Sequence, residues 1–98
     1  MRNGPVQANW PFSEPPSQAV ISLRGVFEDD APILLATHEE DGMWQFLDGS
    51  EEPRVEDAWV VGLGEVLEHD PSIAALADLP RSWRAWRASA SAPWQRGP

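Results

Sequence analysis

Apolar residues run along this chain in short blocks separated by polar or turn-forming stretches. Ala19-Val20-Ile21-Ser22-Leu23 is rich in β-branched and aliphatic side chains and predicts a first strand. Arg24 to Phe27 predicts one helical turn ahead of the acidic loop Glu28-Asp29-Asp30. Ile33 to Thr37 predicts a second strand, and His38 to Gly42 a turn, because Asp41-Gly42 is a usual hairpin signal. In the third predicted strand, Met43 to Leu47, alternation puts Met43, Gln45 and Leu47 on one face and Trp44 and Phe46 on the other. It is expected to run antiparallel to the second. The polar loop Asp48 to Asp57 then leads into a fourth strand, Ala58 to Val61.

Helical spacing takes over after that strand. Leu63, Val66 and Leu67 stand at i, i+3 and i+4. Asp70-Pro71 marks a restart, with Asp as cap and Pro at the first helical position, and Ile73, Leu76 and Ala77 would line its buried face. Leu79, Trp83 and Trp86 repeat at i, i+4 and i+7 and predict a further helical turn or two, with Arg81, Arg84 and Arg87 off that stripe. Strands first and helices after give an α+β domain: a small, mostly antiparallel sheet of about four strands, with two or three short helices in the C-terminal half. Residues 1–17, with four prolines, read as an extended arm that Trp10 and Phe12 pin to the body. Residues 18–88 form a single domain, and residues 89–98 a tail anchored by Trp94.

Composition narrows the picture. Ninety-eight residues support one modest core, and with no cysteine there is no disulfide or thiolate metal site to reinforce it. Neither an apolar run after Met1 nor any stretch near the ~18 apolar residues of a membrane span is present. The expected location is the cytoplasm. The net charge is −9 and unevenly spread. All sixteen acids lie at or before Asp78, whereas Arg81, Arg84, Arg87 and Arg96 follow it with no acid among them. An acidic body argues against nucleic-acid binding, which needs a basic surface, and suits a basic protein partner. A solvated, soluble surface explains the same charge without a partner.

Candidate chemistry is sparse. His38 and His69 are the only histidines, and neither has a second histidine at metal-ligand spacing. His38-Glu39-Glu40-Asp41 offers nitrogen and oxygen ligands from one turn, which keeps a metal- or small-ligand-binding domain as the alternative to protein binding. Asp48, Glu51 and Glu52 share only their charge with a calcium loop. Gly62-Leu63-Gly64 sits between a predicted strand and a predicted helix, as a dinucleotide loop does, but Leu67 stands where a third glycine belongs. A tight strand-to-helix turn explains these glycines better. No serine lies in a Gly-x-Ser-x-Gly elbow, and cysteine, lysine and tyrosine are absent, so a non-enzymatic role is expected. The interleaved Arg81-Ser82-Trp83-Arg84-Ala85-Trp86-Arg87 would suit stacking on bases or a membrane interface, but beside so acidic a body it reads as tryptophans packed on the domain, with the arginines facing carboxylates or indole rings.

The segment Gly42-Met43-Trp44-Gln45-Phe46-Leu47-Asp48-Gly49, followed by Glu51 and Glu52, resembles the central Gly-Trp-x-Phe-x-x-Gly-x-Glu segment of a small bacterial domain of unknown function, the immunity-protein-33-like family. Leu63-Gly64-Glu65-Val66-Leu67 and Asp70-Pro71-Ser72-Ile73 are similar to its later Leu-x-x-Ile and Asp-Pro-Ser block, and Leu79-Pro80 to its proline-containing tail segment. The likeness covers about residues 18–80 and departs in a shorter loop after Gly49 and in the Trp/Arg tail. It implies an α+β domain without known catalytic residues, some of whose members are thought to neutralise partner toxins. On this reading the acids bracketing the hairpin, Glu39, Glu40, Asp41, Asp48, Glu51 and Glu52, are the expected contacts to a basic partner, and no cofactor or metal is expected.

Overall fold

A computed structural model describes residues 10–50 and 54–98. The chain is α+β, built on one six-stranded mixed sheet in the order β4-β1-β3-β2-β5-β6. The strands are β1 (Ala19–Leu23), β2 (Leu35–His38), β3 (Trp44–Leu47), β4 (Ala58–Gly62), β5 (Trp83–Trp86) and β6 (Gln95–Gly97). Two short α-helices, α1 (Arg24–Glu28) and α2 (Leu63–His69), and 3₁₀ segments at Val55–Asp57 and Pro71–Leu76 complete it. No helix among the described residues is long and apolar enough to cross a membrane.

The β2–β3 hairpin is the centre of the sheet and antiparallel as expected, with Ala36 opposite Phe46 and His38 opposite Trp44. Its turn closes through the Glu39 N–H on Met43 O and the Gly42 N–H on Glu39 O. Gly42 takes φ +93° there, which only glycine adopts without strain. After β1, the chain passes through α1 and skips one position before β2, and β3 returns into the gap. β1 and β3 are therefore parallel, the one parallel pair in an otherwise antiparallel sheet.

Strand alternation sorts the side chains. Val20, Ser22, Ala36, Trp44, Phe46 and Ala85 point to the buried face. There they meet Val26 of α1, Leu63 and Val66 of α2, and Ile73 and Leu76 of the 3₁₀ segment, together with Leu79 and Phe12. Ala36 lies in register between Phe46 and Ala85, so two small residues leave room beside a large ring. Trp44 stacks on Phe46 at 5.6 Å and meets Phe12 edge-on at 5.5 Å. Ser22, fully buried, donates its hydroxyl to Phe46 O at 2.8 Å. Phe12 fixes the extended arm to this core, and Trp10 packs against it.

Four features correct the reading from sequence. Among the described residues there are six strands where about four are predicted. Trp83 to Trp86 is a strand, not a helix, so Trp83 and Trp86 face opposite sides of the sheet. The predicted tail supplies β6, which pairs with β5. Asp70-Pro71 opens a 3₁₀ segment rather than an α-helix, with Asp70 accepting from the Ser72 N–H at 3.0 Å.

Arg87 explains the β5 error. It continues the inward-facing set of Trp83 and Ala85, and it is a buried cation. Its Nε donates to Ile33 O at 2.9 Å, Nη1 to Ser72 Oγ at 2.9 Å and Ala90 O at 3.0 Å, and Nη2 to Asp70 Oδ2 at 2.8 Å. The guanidinium lies 4.2 Å from the centre of the Trp94 ring. An arginine at a core position hides the two-residue alternation that marks a strand.

Both edges of the sheet are restricted. The Leu63 N–H donates to Gln18 O, so by antiparallel alternation Val61 and Trp59 turn their amides toward β1, and Ala58, Val60 and Gly62 turn theirs outward. The Ala58 N–H is taken by Val55 O and the Gly62 N–H by Glu65 Oε1 at 2.8 Å. Val60 keeps the remaining outward donor of β4. At the opposite edge β6 is three residues long, Gln95–Gly97.

Candidate functional site

The outer face of the sheet carries the residues that alternate with the core: Ile21, Leu35, Leu47, Val60, Arg84 and Trp86. Cross-strand registers align them in two rows, Val60–Ile21–Gln45–Thr37–Arg84 and Leu47–Leu35–Trp86. Val60 is 69 % exposed and Trp86 42 %. Exposure of large apolar groups on a flat face is the feature that sets this side apart.

Two clefts lie along β2 and β5. The larger, about 330 Å³, is lined by Thr37, His38, Glu39, Glu40, Ser82, Trp83 and Arg84. The second, about 220 Å³, is lined by Leu35, Arg84 and Trp86. They meet at Arg84, whose guanidinium lies 5.8 Å from the Trp86 ring centre. The result is a groove with acids at one end, an arginine in the middle and an apolar seat at the other. Thr37 opposes Arg84 across the ladder, and its hydroxyl oxygen is buried without a hydrogen-bond partner among the described residues.

The predicted contact acids divide. Glu39 and Glu40 line the groove mouth, and among the described residues neither is in salt-bridge range of an arginine. Asp41 follows them in the turn, where its Oδ1 accepts from the Met43 N–H at 2.9 Å. Asp48 stands at the far end of β3, roughly 13 Å away along four extended residues. Its Oδ1 accepts from Ser50 N–H at 3.0 Å and Ser50 Oγ at 2.6 Å, so it shapes the turn. Glu51 and Glu52 lie outside the described residues. The structure thus does not gather the four described acids into one patch. Leu35, Thr37, Arg84 and Trp86 escape the sequence reading because β5 is read there as helix, which separates Arg84 from Thr37.

The hydrogen bonds from Ser50 hold the Asp48 carboxyl below its ordinary value of 3.8. A depressed folded-state value means that the stabilisation is present above the unfolded-state value and disappears as pH falls through the folded one. Asp48→Ala is expected to cost on the order of 0.5 kcal/mol at neutral pH, after discounting for solvent screening. Urea unfolding at pH 7 and pH 3 checks it. A penalty of the same size at both would show that the charge is not its source.

His38 sits behind the groove, on the core side. Its ring stacks on Trp44 at 4.0 Å, its Nδ1 is 2.7 Å from Leu79 O and so carries the proton, and its Nε2 is 3.7 Å from Glu14 Oε2. Glu14 also accepts from Trp44 Nε1 at 3.2 Å. His38 thus ties the arm and the β5 approach to β2. No three His, Asp or Glu side chains among the described residues are grouped to hold a metal ion, so the metal alternative lacks a ligand set there. In the run from Arg81 to Arg87, Arg84 lies over Trp86 and Arg87 on Asp70 and Trp94, as expected, but Trp86 is exposed rather than packed on the domain, because it faces the outer side of β5.

Set against known proteins, the chain matches no family model, no curated protein and no solved structure.

Proposed function

We propose that this chain is a non-enzymatic domain that binds a basic protein, in the manner of an immunity-type inhibitor. The observation that carries the reading is the pair Glu39 and Glu40 at the mouth of a groove that ends on exposed Trp86. Uncompensated carboxylates raise the encounter rate with a cationic surface, and an adjacent apolar seat slows its release. The net charge of −9 acts in the same direction at long range. The likeness to the immunity-protein-33-like family adds the inhibitor role.

Capture from a native lysate at low and high salt, with the wild-type chain and with a Glu39→Lys/Glu40→Lys variant, tests the reading. A protein held by the wild type at low salt, and released both by high salt and by the variant, is the expected result. Exposed charges more than about 8 Å apart are largely screened at physiological ionic strength. Capture of nothing, or equal capture by the variant, would remove the proposal.

A further inference from the structure

We infer that the β2–β5 groove takes an extended segment of the basic partner, with a cationic side chain between Glu39 and Glu40 and an apolar side chain on Leu35 and Trp86. This deepens the protein-binding proposal and rests on it. Three observations select the occupant. The groove runs along the strands: Leu35 opens β2 and Glu39 follows its last residue, four residues on, roughly 13 Å. An extended segment repeats its side-chain direction every second residue, so positions i and i+4 reach both ends. The charge order is acidic mouth, Arg84 centre, apolar end, which admits a cation only at the mouth. The sheet edges, meanwhile, do not welcome an added strand: two of the three outward donors of β4 are used internally, and β6 is three residues long. The segment therefore lies on the face.

The face also sets a requirement for area. Five inter-strand spacings by the length of a four- to five-residue strand give on the order of 350 Å². A stable complex buries about 800 Å² per partner. The groove segment is thus one anchor within a larger contact, and in isolation it should bind weakly.

The probe is the synthetic peptide acetyl-Leu-Ser-Thr-Ser-Arg-Arg-amide, which places leucine and arginine at i and i+4. Its controls are acetyl-Ser-Ser-Thr-Ser-Arg-Arg-amide and acetyl-Leu-Ser-Thr-Ser-Glu-Glu-amide. Titration of the ¹⁵N-labelled full chain is followed by amide shifts. Saturable shifts confined to residues 35–40 and 82–87, with a Kd on the order of 1 mM, are expected for the first peptide. Binding should weaken at least about fivefold in the Trp86→Ser variant, and about tenfold in Glu39→Lys/Glu40→Lys, which leaves the core untouched. The acidic control should not bind. If the leucine-free control binds as tightly and at the same acids, the groove assignment falls while the basic-partner reading stands. If no arginine peptide produces shifts, the groove assignment falls, and the basic-partner reading is decided by the lysate capture. Shifts centred elsewhere overturn the groove.

Discussion

Arg87→Ala is expected to lower the unfolding free energy by about 3–5 kcal/mol, the range for breaking a buried ion pair by removing one partner. The side chain is 2 % exposed and satisfies four acceptors at once: Ile33 O, Ser72 Oγ, Ala90 O and Asp70 Oδ2. Truncation leaves the Asp70 carboxylate, 21 % exposed, facing a cavity and takes away the guanidinium stacked on Trp94. Those acceptors belong to the loop before β2, the Pro71–Leu76 segment and the approach to β6, so one side chain ties three distant stretches together. For a domain of this size each kcal/mol is worth roughly 4–8 °C in Tm, and total stability is usually about 5–15 kcal/mol. Arg87→Lys keeps the charge but not the planar fork, and should recover less than half of the loss. Urea and thermal unfolding of the three proteins measure this. A loss under 1 kcal/mol in Arg87→Ala would mean that the network is strained rather than stabilising.

A comparable loss, about 3–5 kcal/mol, is expected for Trp44→Ala. Trp44 is 1 % exposed and contacts three rings: Phe12 of the arm, Phe46 on its own strand and His38 across the hairpin. It also donates to Glu14. Trp44→Phe separates the two contributions. It keeps ring contacts in the core and drops the indole N–H, so it should lose clearly less than the alanine variant. It should also loosen residues 10–18, because Glu14 then loses its donor. Hydrogen exchange of the arm, read beside global unfolding, distinguishes these. Unchanged protection in Trp44→Phe would show that the Trp44–Glu14 hydrogen bond does not hold the arm.

These two residues also show what was legible in the sequence. Trp44 and Phe46 alternate with polar or less bulky residues between two turn signals, and the hairpin follows from that local pattern alone. The same holds for Leu63, Val66, Ile73 and Leu76, whose helical spacing matches their burial. Arg87 was not legible, because burial of an arginine depends on Asp70 seventeen residues earlier, a pairing that no local period encodes. With Arg87 placed off the apolar stripe, Trp83 and Trp86 fit a helical spacing as well as a strand, and the partner strand that decides between them, β2, lies more than forty residues away. The parallel placement of β3 beside β1 is likewise a register between distant segments. At the candidate site, Glu39 and Glu40 were legible as charge. Their distinction from Asp41 and Asp48 was not, although Asp48-Gly49-Ser50 and Asp70-Pro71-Ser72 share one visible signature: an aspartate whose Oδ1 accepts from the serine two residues later.

The closed edges have a consequence for how such a sequence remains usable in a crowded solution. AVISL, ILLAT and AWVV are each short, β-prone, uncharged and free of proline, the composition that feeds amyloid-like stacking when an unpaired strand is on offer. The fold places the first two inside the sheet and gives AWVV the edge, where a 3₁₀ turn and the Glu65 carboxylate occupy two of its three outward donors. Self-templated growth is hindered at the backbone, so the outer face can keep apolar side chains for recognition at a lower risk of seeding fibres.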